Sequence, residues 1–225
     1  MQNKPDEVEK QLMKGYEKVS GNAKAQIAMA SVMGKWYLKQ DQKEKLLPLA
    51  QQLAAAYPDN SQALSFLAAA EIANNKANDA EQTLEKIINL DATDSKHRLM
   101  LANLLAKQPG RDKDIIKLLD EVIQLTPENP DPVVLKAAYL INTQQYEQAL
   151  VLADYAQEHF PSLALSKQLK GDIYLKQKDY DKALENYQQG YNIQANNKVL
   201  VVMAEILVFQ GKEAEAVQLL SDALA

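Results

Sequence analysis

The sequence has no cysteine and few glycines and prolines, and these shortages narrow the classes of protein that it can form. Without thiols, the chain cannot form disulfides, thiolate zinc sites or a cysteine nucleophile. Its 7 glycines and 8 prolines are about half of the share usual for 225 residues. Alanine, leucine, lysine, glutamine and glutamate are abundant instead, and this composition predicts a helical protein.

The charge of the chain is mildly negative, and no long run of like charges occurs. The formal net charge is −5, with a pI near 5.2. Binding to a nucleic-acid backbone requires a basic surface. We therefore expect no nucleic-acid partner.

Long apolar stretches are also missing. The segments 199–204 and 206–209 are too short to cross a bilayer, because Glu205 separates them. The first residues lack the apolar core of a signal peptide, and no cysteine is available for lipidation. We expect no transmembrane segment and a cytoplasmic location, unless a targeting segment has been removed.

Small residues recur at a regular interval inside otherwise large apolar stretches. This first series consists of Gly34, Ala68, Ala102, Ala137, Gly171 and Ala204. A second series runs in phase with the first and consists of Leu46, Ala80, Ile115, Ala149, Ala183 and Ala216. Two series with one period indicate an internal repeat of about 34 residues.

Each repeat has the pattern of two amphipathic helices with a short polar turn between them. We predict six repeats, at 27–60, 61–94, 95–129, 130–163, 164–196 and 197–225. Residues 1–26 are predicted to form the second helix of a truncated preceding repeat. In support, Leu12, Tyr16 and Val19 lie one full period before Leu46, Ala50 and Leu53.

The motif of one repeat resembles the tetratricopeptide repeat. Gly171 and Tyr174 precede Tyr180, and Ala183 and Tyr187 follow it at the spacing of that family. The resemblance covers residues 27–225 and implies an all-α, right-handed superhelix of helix-turn-helix repeats whose first helices line a concave groove. The chain departs from the pattern at Ile115, which replaces a small residue, and at Pro48, which lies inside a predicted second helix. Proline there is expected to kink the helix or to delay its start.

The two ends of the predicted solenoid are open. Solenoids usually need a polar capping helix over the last apolar face, and the pattern ends without one. We interpret the chain as a section of a longer repeat protein. The alternative is a homodimer that covers the open ends.

The sequence offers no recognisable catalytic, cofactor or metal site. The histidines, His97 and His159, have no helical metal-binding spacing, and His159 is expected simply to end a helix. Asp91 and Asp94 are interpreted as solvated caps. Phosphate-binding glycine loops and a nucleophile elbow are absent. We expect no enzymatic activity and no cofactor.

The concave groove is the remaining candidate site. Projected onto the helix pairs, its residues are predicted to be Lys35, Lys39, Lys96, Leu99, Asn103, Lys107, Asn142, Gln168, Asp172 and Lys176. The same projection includes Ser31 and Ser65. Asn103 and Asn142 could hydrogen-bond a peptide backbone. A clamp for a C-terminal carboxylate is not supported, because Ala69 and Ala138 stand at the positions equivalent to Asn103. The alternative is an ordinary solvated surface.

Residues 152–180, with Leu152-Ala153, Phe160-Pro161 and the run from Leu169 to Tyr180, resemble the repeat lipoproteins that accompany bacterial exosortase (PEP-CTERM) systems. That resemblance implies a protein attached to the outer membrane in the periplasm, with a role in envelope sorting or exopolysaccharide export. The predicted function is a non-enzymatic scaffold that binds a protein or peptide in the groove. The alternative is a structural spacer, or a self-associating segment, of an export assembly.

Overall fold

The computed structural model describes residues 5–223, and within this range the chain forms thirteen α-helices and no strand. In chain order the helices are α1 (Pro5–Lys18), α2 (Ala23–Lys39), α3 (Lys43–Ala56), α4 (Ser61–Ala73), α5 (Ala77–Leu90), α6 (Ser95–Leu105), α7 (Asp112–Leu125), α8 (Asp131–Asn142), α9 (Tyr146–His159), α10 (Leu165–Lys176), α11 (Tyr180–Ile193), α12 (Asn197–Phe209) and α13 (Glu213–Asp222). The predicted all-α class is confirmed. No helix in this range combines the length and the apolarity that crossing a bilayer requires.

The helices divide into two compact units, Met1–Leu125 and Thr126–Ala225. The described part of the first unit contains α1 to α7, and that of the second contains α8 to α13. Within each unit, every helix packs against the next helix in the chain. This nearest-neighbour packing is how repeat proteins bury faces that a single helix pair leaves open.

Polar caps and turn residues set the helix limits. Side chains of Asn22, Asn60, Asp94, Asp179 and Asn196 accept hydrogen bonds from the first turns of the helices that follow them. A turn residue with positive φ lies between the two helices of each pair: Asp41, Asn75, Gly110, Gln144, Lys178 and Gly211. These residues follow the same period of about 34 residues as the small-residue series, so the turn geometry repeats as well.

Both periodic series lie in the core. Every member of the small-residue series and of the second series is buried. Helices approach closely where the small residue is glycine: a Cβ on Gly34 would lie 2.8 Å from Cε2 of Phe66, and one on Gly171 would lie 2.5 Å from Cε1 of Tyr187. The series therefore marks the tightest contacts between neighbouring helices.

Three local predictions are corrected. Helix α3 begins at Lys43, so Pro48 does not delay its start. Leu46, Leu49 and Leu53 are buried on one face of α3, and this packing outweighs the missing backbone donor. Helix α2 begins at Ala23, before the predicted repeat boundary at 27, because Asn22 caps it. Helix α6 ends at Leu105, so Lys107 lies in the following turn and not on a first helix.

Candidate functional site

A cleft of about 540 Å³ lies in the first unit, between α2, α4 and the first turn of α6. Its apolar lining residues, which we call its floor, are Ile27, Ala28, Phe66 and Ala69. The remaining lining residues are polar: Lys24, Ser31, Ser61, Gln62, Ser65, Lys96 and His97. An apolar floor with a few polar groups is typical of a ligand-binding surface. We call this feature the α2–α4–α6 cleft.

The α2–α4–α6 cleft is positively charged, although the whole chain is negative. Its lining contains Lys24 and Lys96 and no carboxylate. Helices α2, α4 and α6 contain four lysines, and their one arginine, Arg98, is paired with Glu121 in another cleft. Their single carboxylate, Glu71, is buried, and Asp94, the N-cap of α6, is bound to His97. The side chains of this face therefore favour an anionic ligand.

Two lining side chains, Ser65 and His97, form a hydrogen-bonded series with Asp94, which does not itself line the cleft. His97 Nδ1 lies 2.6 Å from Asp94 Oδ2, and His97 Nε2 lies 2.9 Å from Ser65 Oγ. Asp94 is also the N-cap of α6, because its Oδ1 accepts from the backbone N–H of His97 at 2.9 Å. The imidazole is almost completely buried, with 7% of its side chain exposed.

The charge of the Asp94 carboxylate determines which ring nitrogen of His97 carries a proton. Burial alone would raise the pKa of Asp94, but the hydrogen bonds from the backbone and ring of His97 outweigh it and lower the pKa. An ionised carboxylate only accepts hydrogen bonds, so Nδ1 of His97 carries the proton. In the neutral ring, Nε2 then accepts the hydroxyl proton of Ser65.

The connectivity of Asp94, His97 and Ser65 is that of a nucleophilic triad, but the backbone donors that precede Ser65 in α4 are largely in use. The N–H groups of Gln62 and Ala63 donate to Asn60 Oδ1 at 3.0 and 3.1 Å. Ser65 lies inside α4, where its own N–H is used in the helix. Acyl transfer requires donors aimed at the developing negative charge.

A second cleft of the first unit, about 480 Å³, lies between α5, α6 and α7. Five of its six charged lining residues form ion pairs. Arg111 contacts Glu81 at 2.7 Å, and Arg98 contacts Glu121 at 2.8 Å. Because these ion pairs already satisfy the arginines, this cleft has fewer unpaired polar groups that could bind a ligand than the α2–α4–α6 cleft.

The structure distributes the predicted groove residues of the first unit over different environments. Lys96 lines the α2–α4–α6 cleft. Lys35 and Lys39 are exposed on α2, and Asn103 is exposed on α6, while Leu99 is half-buried. Their contact with a partner stays a prediction, as it does for Lys107 in the turn after α6.

In the second unit, two predicted groove residues already lie against other residues of the unit. Asp172 accepts a hydrogen bond from the hydroxyl of Tyr187 at 2.6 Å. Although Asp172 is exposed overall, the partial burial of its carboxyl raises its pKa, and the Tyr187 hydrogen bond lowers it in part. Gln168 is half-buried opposite Gly190. Asn142 and Lys176 are exposed at the ends of α8 and α10. Partner contact by these four residues also stays a prediction.

The sequence interpretation missed several residues of the cleft. His97 was given no metal-binding or catalytic role and Asp94 was interpreted as a solvated cap, yet Asp94 bonds to His97, which bonds to Ser65 in the cleft lining. Lys24, Gln62 and Phe66 were not predicted to line a site. The available signal was the spacing of Asp94 and His97, an N-cap followed three residues later by a donor. His159 does end α9, as expected, with its ring stacked on Tyr155. Within residues 5–223, no group of three or more His, Asp and Glu side chains is arranged to hold a metal ion.

Comparison with known proteins identifies the repeats. A family model described as tetratricopeptide repeat matches residues 47–104. None of the curated proteins matches the chain.

Several solved structures share the fold. YrrB, described as a tetratricopeptide repeat protein with an unusual peptide-binding site, is 18% identical, with coverage of 84% of this chain and 94% of YrrB and a TM-score of 0.57. A tetratricopeptide repeat protein from Parabacteroides merdae is 12% identical, with coverage of 97% and 85% and a TM-score of 0.60. MamA from Desulfovibrio magneticus is 16% identical, with coverage of 73% and 93% and a TM-score of 0.52. At these identities the likeness concerns the fold. The chain is a helical repeat protein with the tetratricopeptide repeat fold, matched at family level over residues 47–104.

Proposed function

We propose that this protein is a non-enzymatic interaction scaffold that binds a segment of a partner protein in the α2–α4–α6 cleft. The observation that carries the proposal is the cleft itself: an apolar floor, two lysines, three serine hydroxyls and no carboxylate in its lining. YrrB, which shares the fold, is described as having an unusual peptide-binding site. The proposal assigns no reaction to the chain; the N–H groups of Gln62 and Ala63, which precede Ser65 in α4, are already bound to Asn60.

Blocking the cleft tests the proposal. Ala69 is exposed and lines the cleft, so Ala69→Trp would fill it without disturbing the core. Ala55→Trp is the matched control, because Ala55 is exposed on α3 and does not line the cleft. Peptides selected from a random display library on the wild-type protein are titrated against both variants by fluorescence anisotropy.

We expect Ala69→Trp to weaken peptide binding at least about tenfold and Ala55→Trp to leave it unchanged, with equal melting temperatures for the two variants. Selection of no peptide, or equal affinity of all three proteins, would contradict the proposed function. The predicted groove residues Asn103 and Lys107 are tested in the same assay by substitution with alanine.

A second candidate, self-association, rests on the exposed apolar residues of the last two described helices. Val208, Phe209, Val217 and Leu220 are 52%, 71%, 65% and 38% exposed. A second copy of the chain could cover this surface. Sedimentation of the wild type over a range of concentrations, beside Val217→Glu, tests it: we expect a dimer that the substitution dissociates, and a concentration-independent monomer would contradict the candidate.

The cellular setting is a separate proposal. The resemblance of residues 152–180 to exosortase-associated lipoproteins supports an envelope partner, in protein sorting or exopolysaccharide export. Cell fractionation tests this proposal. Recovery of the native protein with the periplasm or the outer membrane is the expected result, and recovery with the cytoplasm would contradict it.

A further inference from the structure

We propose that the α2–α4–α6 cleft recognises an acidic, extended peptide segment whose main-chain N–H groups donate hydrogen bonds to Ser31 and Ser65. This inference rests on the proposed function and specifies its ligand. It has three parts: the polarity of the two hydroxyls, the charge around them, and the residue that positions one of them.

The hydroxyl protons of Ser31 and Ser65 are both used inside the protein. Ser31 Oγ donates to the backbone carbonyl of Ile27 at 2.9 Å. Ser65 Oγ lies 2.9 Å from Nε2 of His97, and it is the donor to that nitrogen when the ring is neutral with its proton on Nδ1. Each oxygen keeps lone pairs, and both residues line the cleft. The two serines therefore act toward a ligand as hydrogen-bond acceptors and select groups that donate.

The two acceptors stand in equivalent places. Ser31 and Ser65 are separated by one full period of the repeat and lie on the neighbouring first helices α2 and α4. An extended peptide presents main-chain N–H groups at regular spacing along one edge. Repeated acceptors on neighbouring helices suit such an edge better than they suit a single side chain.

The charge of the cleft specifies the side chains of the ligand. Lys24 and Lys96 are exposed in the lining, and Lys35 and Lys39 are exposed further along α2. The ligand must supply the carboxylates, because the lining has none. Ile27, Ala28 and Phe66 provide apolar contact for small intervening residues. An acidic segment with small apolar residues complements this surface.

His97 acts through Ser65 and is a positioning residue. With Nδ1–H bound to Asp94, the ring presents only an acceptor to Ser65 and holds the hydroxyl proton away from the ligand. Without that acceptor, the hydroxyl could rotate and donate to the ligand instead. The selectivity of Ser65 for donors thus depends on the Asp94–His97 pair.

The charge part is tested with fluorescent peptides of alternating alanine and aspartate, and with counterparts in which asparagine or lysine replaces aspartate. We expect the aspartate peptide to bind at least about tenfold more tightly than the asparagine peptide, and its affinity to fall at least several-fold as salt is raised from about 0.05 M to about 0.5 M. Equal binding of the three peptides would overturn the inference. If Ala69→Trp abolished the binding of any of these peptides, the proposed function would still be supported.

The hydrogen-bond part is tested by replacing single amides of the aspartate peptide with esters, which removes one N–H donor at a time. On the wild type, an ester at a contacting position is expected to weaken binding roughly three- to tenfold. On Ser65→Ala, the same ester is expected to have little further effect, because the acceptor has been removed. An equal ester effect on both proteins at every position would overturn the assignment of Ser65, and Ser31→Ala tests Ser31 in the same way.

The positioning role is tested with His97→Asn, which keeps a side-chain donor near Asp94 but removes the acceptor for Ser65. We expect the variant to lose discrimination between amide and ester peptides as Ser65→Ala does. This ratio reports selectivity and does not depend on how far the substitution lowers the melting temperature. Unchanged discrimination would show that His97 has no part in the selectivity of Ser65. Failure of every peptide to bind the wild type, library peptides included, would contradict the proposed function together with the inference.

Discussion

Glu9 connects α1 to the two helices that follow it. Its carboxylate accepts a hydrogen bond from the hydroxyl of Tyr37 at 3.1 Å and forms an ion pair with Lys45 at 2.7 Å. Burial, with the negative charge and hydrogen bond of Glu9, raises the pKa of Tyr37 to about 12. Tyr16 of α1 is buried in the same cluster as Tyr37. These contacts fix the position of α1 against α2 and α3.

Glu71 is a buried carboxylate whose partners do not fully satisfy it. It is 6% exposed, and its Oε2 has no hydrogen-bond partner. Burial raises its pKa, and a hydrogen bond from Thr83 offsets this only in part. The folded state thus binds this proton more tightly than the unfolded state does. The contribution of the protonated Glu71 to the free energy of unfolding is therefore lost as the pH rises above the ordinary pKa of a glutamate.

We expect Glu71→Gln to be more stable than the wild type at pH 7 and similar to it near pH 4, where both side chains are neutral. At pH 7 the melting temperature should rise by about 2–4 °C, the shift that about 1 kcal/mol produces in a chain of this size. Thermal melts at both pH values measure the difference. Glu128→Gln, in an exposed loop, is the control, and a gain in stability independent of pH would contradict this account.

At the scale of elements, glycine determines how closely α10 and α11 pack. A Cβ on Gly171 would meet three ring atoms of Tyr187 at 2.5 to 2.9 Å. That ring is 2% exposed, and its hydroxyl is bound to Asp172. The ring cannot move without breaking this hydrogen bond and the packing around it.

Gly171→Ala is expected to lower the free energy of unfolding by about 1–3 kcal/mol, because the methyl group overpacks the helix interface. Gly15→Ala is the matched control: its Cβ would meet only Cε of Met29, the flexible end of a side chain, at 2.9 Å. The control should be neutral or stabilising by up to about 1 kcal/mol, since alanine favours helix. Denaturant titrations compare the two, and equal losses would contradict the packing argument.

At the same scale, the sequence period identified both series of core residues and the polar turns. It could not give the exact helix ends, because these depend on caps and on packing. Pro48 illustrates the limit: the local rule predicts a kink in α3 or a delayed start, but α3 begins at Lys43, five residues before the proline, and is buried along one face. Lys107 shows a different error: it was predicted to lie on the first helix of its repeat, but that helix ends at Leu105.

At the scale of the whole molecule, the two units are expected to be separable. Each contains its own buried clusters, such as Tyr16, Ile27 and Met33 in the first and Tyr187, Val199 and Met203 in the second. Repeat proteins gain stability mainly from neighbouring repeats, so each unit should retain most of the contacts that stabilise its own helices after a cut between Leu125 and Thr126.

We expect fragments 1–125 and 126–225 each to show helical circular dichroism and cooperative thermal unfolding. Fragment 1–125 should bind the cleft peptides within about threefold of the full chain, because all lining residues lie in it. Fragment 126–225 should not bind them. An unfolded fragment 1–125 would show that its stability requires the second unit.

The sequence by itself determined the all-α class, the period of the repeats and the residues at their closest contacts, because these follow from hydrophobic spacing and side-chain size, which are local properties. It also indicated that Ser31 and Ser65 face one groove. Only the tertiary structure brought the Asp94–His97 pair to Ser65, which lies on the preceding first helix, and left Lys96 beside them. Hydrogen-bond polarity depends on which partner each group meets, and for Ser65 that partner lies on another helix.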